Sequence, residues 1–320
     1  MEKPYVAGID IGGQTTKLGI VDARGTVLTQ TTIRTDTHFD VNDYITDLCD
    51  ALTRMAMEVG GIDKIRGIGV GAPNGNYYTG SIEMAVNLVW SGHRAVPFAK
   101  LMFEKIGIPV ALTNDANAAA VGEMTYGAAR GMKNFIMITL GTGVGSGIVI
   151  NGEVVYGHDG FAGELGHTTS VRNNGRQCNC GRTGCLETYT SAIGVGRTAR
   201  EWLEFSCEKS LLRDVKETIT SRDVYEAAIQ GDELAKKIFE FTGKKLGESF
   251  ADFVAFSAPE AIVLFGGLAK AGDLILKPIE ESMNANLLNM WKNKIKIVFS
   301  QLKESDAAIL GASALAWELK

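Results

Sequence analysis

The pattern of apolar and polar stretches along the chain predicts two similar pairs of strands. Residues 5–22 contain two apolar runs joined by a polar turn that includes Gly12 and Gly13, which is typical of a β-hairpin. Residues 135–155 repeat this order of strand, Gly/Thr turn and strand. A repeat of about 130 residues is too long for a solenoid and predicts two related domains.

Helical periodicity appears between the two hairpins. Apolar residues recur on one face from Val41 to Val59, as in an amphipathic helix, and Cys49 lies on that face as a predicted core residue. The other predicted elements alternate in type, with strands at 65–71, 109–113 and 261–265 and helices at 114–120, 222–256 and 306–319. Strands that alternate with helices indicate an α/β fold.

The length of the chain supports two domains, because 320 residues are about twice the commonest domain size. No Pro- or Ser-rich linker separates the halves, so we place the boundary at a hinge near residues 113–118. We therefore expect a smaller domain of residues 1–115 with 305–320 and a larger domain of residues 116–304.

Composition and charge exclude several classes of protein. The 45% hydrophobic and 22% charged residues are ordinary for a globular protein and exclude disorder, coiled coil and collagen. A net charge of -5 gives no reason to expect a nucleic-acid partner. The chain shows neither a signal peptide nor an apolar run of about 18 residues, so we expect a cytoplasmic protein without a membrane segment. Five sparse cysteines argue against a disulfide framework.

Glycine is abundant, with 38 residues, and several glycines lie in turns that could hold phosphate. The first turn, from Gly12 to Lys17, offers backbone N–H groups, two hydroxyls and a cation, although ordinary hairpin turns also contain glycine. A second turn runs from Gly141 to Gly147, and the pair Gly266-Gly267 follows a buried strand, where a backbone could approach an adenine or ribose. Together these segments favour a nucleotide site.

Four carboxylates occupy positions that allow either a functional or a purely structural interpretation. Asp10 lies in the first strand and either contacts Mg²⁺ through water or caps its own turn. Asp115 follows a strand at a helix start, where it could also be the N-cap. Glu164 and Glu187 bracket a cysteine-rich segment and are either polyol ligands or solvated surface acids.

The cysteine-rich segment supplies His167, Cys178, Cys180 and Cys185. One imidazole and three thiols suit tetrahedral Zn²⁺ and leave no position for a catalytic water, so the predicted zinc is structural. Gly181 and Gly184 allow a tight turn between these ligands. Reduced surface thiols or a redox pair are the alternatives. Cys207 lies outside the cluster and has no predicted partner.

These motifs resemble the ROK family of sugar kinases and sugar-responsive repressors, and most closely its glucokinases. Residues 140–167 fit the family's signature stretch, and residues 178–187 fit its zinc motif. The resemblance covers essentially the whole chain. It implies an actin-like ATPase/sugar kinase fold of the ribonuclease H-like type, in which duplicated domains flank a cleft.

The resemblance also implies roles for individual residues. ATP phosphates would lie against Gly12, Gly13, Thr15, Thr16, Lys17, Gly141, Thr142 and Gly143, with Asp10 toward Mg²⁺ and the adenosine near Gly266 and Gly267. Sugar hydroxyls would be held by Gly71, Asn114, Asp115, Glu164, His167 and Glu187. His167 would then use one ring nitrogen for zinc and the other for the sugar.

The expected reaction is transfer of the ATP γ-phosphoryl group to the 6-hydroxyl of glucose, with Asp115 as general base. N-acetylmannosamine, N-acetylglucosamine, fructose and allose are alternative substrates, and polyphosphate is an alternative donor. A sugar-responsive regulator is the alternative from another class, although the first strand begins too early for a preceding DNA-binding domain. The resemblance also implies a homodimer.

The chain departs from the family pattern at a few positions. Asn74 stands where relatives often have glycine, a Tyr77-Tyr78 pair follows it, and Ser146 replaces a frequent glycine. These departures lie in the predicted sugar and phosphate loops.

Overall fold

The computed structural model describes residues 3–92 and 94–319, which alternate strands and helices as predicted. The strands are β1 (Tyr5–Ile11), β2 (Thr15–Asp22), β3 (Val27–Arg34), β4 (Ile65–Gly71), β5 (Gly75–Asn76), β6 (Ser81–Glu83), β7 (Ala95–Val96), β8 (Val110–Thr113), β9 (Phe135–Leu140), β10 (Val144–Ile150), β11 (Glu153–Val154), β12 (Ala261–Phe265) and β13 (Lys296–Phe299). The helices are α1 (Val41–Glu58), α2 (Phe98–Ile106), α3 (Asp115–Tyr126), α4 (Glu187–Thr190), α5 (Ala192–Phe205), α6 (Ser221–Ile229), α7 (Glu233–Ser257), α8 (Asp273–Asn286) and α9 (Glu304–Ala316).

The first sheet has the strand order β3-β2-β1-β4-β8. The predicted N-terminal hairpin is confirmed, since β1 and β2 pair antiparallel, and β4 and β8 add parallel strands beside β1. The second sheet has the order β11-β10-β9-β12-β13, with β12 parallel to both β9 and β13. The two sheets therefore repeat one topology, which confirms the duplication that the repeated hairpins predicted.

Local sequence explains where the helices begin and end. Asp40 caps α1 by accepting hydrogen bonds from the N–H groups of Asn42 and Asp43, and the apolar face of α1, including Cys49, is buried as predicted. The long helical segment predicted at 222–256 is divided into α6 and α7. Gly231, with φ +93°, lies in the break, a conformation that few other residues adopt.

The chain divides into two compact units. Unit 1 comprises Met1–Met132, Gly147–Gly163 and Ser300–Lys320, and unit 2 comprises Lys133–Ser146 and Glu164–Phe299. This division differs from the expected boundary at residues 115/116, because α3 packs with unit 1. A Cβ on Gly122 of α3 would lie 2.7 Å from the Cα of Gly311 on α9, so these two helices touch through their backbones.

Each unit has its own apolar core. The unit 1 core packs α1 and α2 against the first sheet, and Tyr44 and Phe98 are among its largest fully buried side chains. The unit 2 core packs α5 to α8 against β9 and β12 and includes Phe239 and Phe250. Among the described residues, none of the helices combines the length and the apolar composition needed to cross a membrane.

Candidate functional site

In unit 1, the carboxyl ends of three parallel strands bring predicted site residues together. The strand register pairs Asp10 of β1 with Gly71 of β4, and Gly71 with Thr113 of β8. The chain continues from Thr113 directly to Asn114 and Asp115. Ligands of open α/β sheets commonly bind beyond the carboxyl ends of parallel strands, so this edge is the candidate site of unit 1.

Gly71 lies between Asp10 and Asp115 at this edge. A Cβ at this position would lie 3.9 Å from Oδ1 of Asp10, 3.7 Å from the Cα of Asp115 and 3.3 Å from the Cβ of Ala118. Asp10 and Asp115 thus flank one buried glycine. Their proximity creates a strongly acidic recess.

The pKa of Asp10 shows how unfavourable this recess is for negative charge. Burial, reinforced by the charge of Asp115, raises the pKa of Asp10 to about 6, although Lys17 on the neighbouring strand acts in the opposite direction. Lys17 is directly across from Asp10 in the hairpin register. A further cation beside Asp10 would lower this cost, and the contact with Mg²⁺ stays a prediction for this carboxylate.

We predict that Asp10→Asn stabilises the ligand-free protein at neutral pH. Because the folded protein holds a proton on Asp10 more tightly than the unfolded chain does, stability falls as pH rises from about 4 to above 6. Asn carries no charge and escapes this loss, which is at most about 3 kcal/mol. Differential scanning calorimetry should show a Tm gain of a few degrees at pH 7.5 and little gain at pH 4.5.

The matched control for this experiment is Asp50→Asn, which removes an exposed carboxylate from α1. Its Tm should follow that of the wild type at both pH values. A Tm for Asp10→Asn at or below the wild-type value at pH 7.5 would contradict the assigned electrostatic cost.

The structure separates the two interpretations of Asp115. The N-cap of α3 is Asn114, whose Oδ1 accepts a hydrogen bond from the N–H of Asn117 at 2.7 Å. Asp115 is the first helical residue, and its exposed carboxylate accepts from the N–H of Ala116 at 2.8 Å. Loss of hydration among surrounding protein groups raises the pKa of Asp115 despite that hydrogen bond. The capping role therefore belongs to Asn114, and the carboxylate of Asp115 is available for chemistry.

The first glycine turn is tightly packed, and it offers only one of the two predicted threonine hydroxyls. The N–H of Gly12 donates to the carbonyl of Thr15 at 3.0 Å, and a Cβ on Gly13 would lie 3.0 Å from the carbonyl oxygen of Asn87. Thr15 is exposed, whereas Thr16 is fully buried. The prediction that this turn offers two hydroxyls is therefore wrong for Thr16.

The hydroxyl of Thr16 belongs to a buried polar cluster below the turn. It lies 2.5 Å from the hydroxyl of Tyr44 and 2.8 Å from that of Thr35, and both partners are buried. Tyr44 also stacks on Trp90, with ring centroids 4.9 Å apart. Three hydroxyls that satisfy one another explain why polar groups are tolerated here, and they link the turn to α1.

In unit 2, the carboxyl ends of β9 and β12 bring the other two glycine segments to one edge. Phe265 pairs with Thr139, so Gly141 and Gly266 both follow the ends of neighbouring strands. A Cβ on Gly266 would lie 2.6 Å from the carbonyl oxygen of Leu140, so close packing by itself explains why this residue is glycine. No atom lies within 4 Å of a Cβ placed on Gly141 or Gly267, so both positions leave open space for a ligand.

A groove beside the second turn was not predicted from the sequence. Its volume is about 310 Å³, and Thr142, Ile193 and Arg200 are among the residues that line it. This volume suits a small organic group. No motif marks the groove, because its walls come from α5 and from residues 218–221, which are distant in the chain.

The predicted metal ligands are brought together in unit 2. One ligand atom from each of His167, Cys178, Cys180 and Cys185 lies within 4.8 Å of all the others. The Sγ atom of Cys178 is 3.7 Å from Nδ1 of His167, and the Sγ atoms of Cys180 and Cys185 are 3.7 Å apart. Tetrahedral Zn²⁺ with Zn–S bonds of about 2.3 Å requires ligand separations of about 3.6–3.8 Å. The donor set and these two separations of 3.7 Å therefore fit zinc.

Backbone contacts hold this cluster in shape. The N–H of Cys178 donates to the carbonyl of Arg182 at 2.9 Å, and that of Gly181 donates to the carbonyl of Cys178 at 3.1 Å. Gly184 has φ +77°, and a Cβ there would lie 1.8 Å from the carbonyl oxygen of Val171. Only glycine fits at this position. All five cysteines are free thiols, and Cys207 is exposed outside the cluster.

The two glutamates beside the cluster have different surroundings. Glu164 is exposed, with Oε2 4.0 Å from Nε2 of His167. Glu187 is half-buried, and its Oε2 accepts a hydrogen bond from the N–H of Val144 at 2.9 Å. One ring nitrogen of His167 thus faces the thiols and the other faces Glu164. The dual role of His167 toward zinc and sugar stays a prediction. The contact between Glu187 and Val144 was not predicted.

A cavity of about 880 Å³ also lies in unit 2, with Glu164 and His167 on its wall. Arg172, Arg182 and Phe256 line other parts of it. Glu187 does not border this cavity, and no other predicted sugar ligand does. We therefore do not assign the cavity to the sugar.

Two departures from the family pattern, Asn74 and the Tyr77-Tyr78 pair, have structural explanations in unit 1. Asn74 has φ +51°, a conformation that glycine and asparagine adopt more readily than other residues, and its Nδ2 donates to the carbonyl of Glu83 at 2.9 Å. Tyr77 stacks on Tyr156, with centroids 4.1 Å apart, and the hydroxyl of Tyr78 donates to the carbonyl of Gly157 at 2.8 Å. The tyrosine pair thus contacts residues 156–157 of the signature stretch.

Comparisons with known proteins agree with these features. The sequence model of the ROK family matches residues 6–318. A glucokinase of Halalkalibacterium halodurans is 37% identical over 319 residues, which cover 98% of this chain and 96% of that protein. Among solved structures, a ROK family glucokinase from Streptomyces griseus in complex with glucose and AMPPNP has a TM-score of 0.79 and 31% sequence identity, covering 98% of this chain and 99% of that chain.

The chain therefore belongs to the ROK family, and the predicted actin-like sugar kinase fold is confirmed. Within the family it is more similar to glucokinases than to regulators. A xylose repressor of Bacillus spizizenii, for example, is 27% identical, covering 98% of this chain and 77% of that repressor.

Proposed function

We propose that this protein is an ATP-dependent hexose kinase that phosphorylates the 6-hydroxyl of glucose. The observation that carries the proposal is the carboxylate of Asp115 at the strand edge, which does not serve as the helix cap because Asn114 supplies it. The similarity to proteins named glucokinase supports glucose as the acceptor.

Asp115 would act as the general base. Its carboxylate accepts the proton of the sugar hydroxyl while a bond forms between that oxygen and the γ-phosphorus of ATP. The bond between the γ-phosphorus and the bridging oxygen breaks, and ADP leaves with the electron pair. A pKa raised by loss of hydration makes Asp115 a stronger base than an ordinary aspartate.

The glycine segments would bind the nucleotide. We assign the phosphates to backbone N–H groups and side chains of Gly12, Gly13, Thr15, Lys17, Gly141, Thr142 and Gly143, with Thr16 supporting the first turn from below. The open space at Gly267 and the groove beside Thr142 would accept the adenosine. Asp10 would hold Mg²⁺, through water or directly, and bound Mg²⁺ supplies neutralising charge to the phosphates.

Sugar hydroxyls would be bound by residues that the sequence already indicated. These are Gly71, Asn114, Asp115, Glu164, His167 and Glu187. Zn²⁺ held by the three cysteines and His167 would fix the ring of His167, so that Nε2 faces the sugar. We also propose that the protein is a cytoplasmic homodimer that acts in carbohydrate metabolism at the entry to glycolysis.

A panel of sugars tests this function directly. Purified protein with ATP and Mg²⁺ should release ADP fastest with glucose, and more slowly with fructose, allose, N-acetylmannosamine and N-acetylglucosamine. Polyphosphate in place of ATP should give little sugar phosphate. A higher kcat/KM for any other sugar would reassign the acceptor, and absence of ADP release with every sugar would refute kinase activity.

A further inference from the structure

The short segment from Cys185 to Ala192 joins the metal cluster to the second glycine turn. Cys185 is a buried ligand of the cluster, and α4 begins two residues later at Glu187. The N–H of Ala192, the first residue of α5, donates to the carbonyl of Gly141 at 2.8 Å. One end of the turn is therefore held by the end of this segment.

Glu187 holds the other end of the same turn. Its Oε2 accepts from the N–H of Val144 at 2.9 Å, while Oε1 lies 3.8 Å from the Sγ of Cys178. A Cβ on Gly143 would lie 2.3 Å from Oε2 of Glu187, so glycine is required for the carboxylate to reach the backbone. The turn is thus fixed at Gly141 and at Val144 by one segment of eight residues.

A buried arginine keeps the segment rigid. Arg176 donates to the carbonyl of Thr188 at 2.8 Å and to Oγ1 of Thr198 at 2.9 Å. It also forms an ion pair with Glu201, with Nη2 and Oε2 2.5 Å apart. The segment therefore cannot easily shift to compensate for a displaced metal ligand.

We propose that the metal cluster positions the second phosphate turn through Glu187, so that loss of the metal weakens nucleotide binding even when no sugar is present. This inference rests on the proposed function, because it takes the turn from Gly141 to Gly143 as a nucleotide site. Glu187 acts here as a positioning residue: the carboxylate orients backbone N–H groups through Val144. Its Oε1 remains available for the proposed sugar contact.

The test is titration of the purified, metal-containing protein with AMPPNP and Mg²⁺ in the absence of sugar, by isothermal calorimetry. Glu187→Ala removes a charge-assisted hydrogen bond and should weaken AMPPNP binding roughly 10-fold while the protein retains its metal. Glu187→Gln keeps an acceptor for the N–H of Val144 and should bind AMPPNP within about 2-fold of the wild type. Chelation of the wild type should cause a loss similar to that of Glu187→Ala, and chelation of Glu187→Ala should add little.

Glu240→Ala is the control, because it removes an exposed glutamate of α7 that lies outside the cluster. It should leave both the metal content and AMPPNP binding unchanged. Wild-type affinity for AMPPNP in metal-loaded Glu187→Ala, or in the chelated wild type, would overturn the inference alone. Failure of the wild-type protein to bind AMPPNP would instead refute the proposed function. If Glu187→Ala does not fold, the chelated wild type still decides the question.

Discussion

Asp115→Asn should lower kcat by about 10²–10⁴-fold, the usual contribution of a general base, with the fold intact. The amide has nearly the same shape and can still accept from the N–H of Ala116. It cannot take a proton from the sugar hydroxyl. Steady-state kinetics with saturating ATP should show the loss in kcat, while the KM for glucose changes much less.

The control for this variant is Asp43→Asn, which also removes an acidic residue from the first turn of a helix, here α1. It should retain wild-type kcat, since Asp43 has no place in the site. The pH profile adds a second check. Asp115 and Asp10 interact, so the fall of kcat/KM at acidic pH should report the titration of both carboxylates together. Its apparent pKa should lie above the ordinary range for aspartate. Turnover of Asp115→Asn within a few-fold of the wild type would remove this residue from the proposed role.

Cys180→Ser should cost the protein most of its zinc and weaken glucose binding by at least about 10-fold. Cys180 is the exposed thiol of the cluster, so its replacement leaves no cavity in a core, unlike that of the buried Cys185. Without the metal, His167 loses its fixed ring orientation. Metal analysis of freshly purified protein and calorimetric titration with glucose measure the two effects.

Cys207→Ser is the control, because it removes an exposed thiol outside the cluster. Zinc content and glucose affinity should stay at wild-type values. A wild-type protein with less than about half an equivalent of zinc would contradict the metal assignment. Loss of zinc from Cys180→Ser with unchanged glucose affinity would keep the metal but separate it from the sugar.

Much of the architecture was predictable because it depends on local pattern. The period of the apolar residues predicted α1 to within one residue of its end, and the Gly-containing turns between apolar runs predicted both hairpins. The proximity of the three cysteines was predictable for a similar reason, since they lie within eight residues and need only a tight turn to meet. The repeated hairpin pattern in the sequence likewise predicted the repeated sheet topology.

Other features depend on which residues meet across the fold. Asn114 and Asp115 are both good helix caps, and only the backbone geometry shows that Asn114 is the cap. Thr16 stands beside Thr15 in an exposed-looking turn, yet the strand alternation buries it against Tyr44, which is 28 residues away. The boundary between the units lies after α3, because small residues let α3 touch α9 from the far end of the chain.

The sequence by itself determined the α/β class, the duplication, the glycine turns and the His/Cys set that could hold a metal, because each depends on residue types that recur within short segments. Only the tertiary structure decided which carboxylate is free, which hydroxyl is buried and that Glu187 reaches the backbone of the second turn. These properties arise from contacts between segments far apart in the chain. Spacing along the sequence does not reveal such contacts, because they form only when the sheets bring the strand ends together.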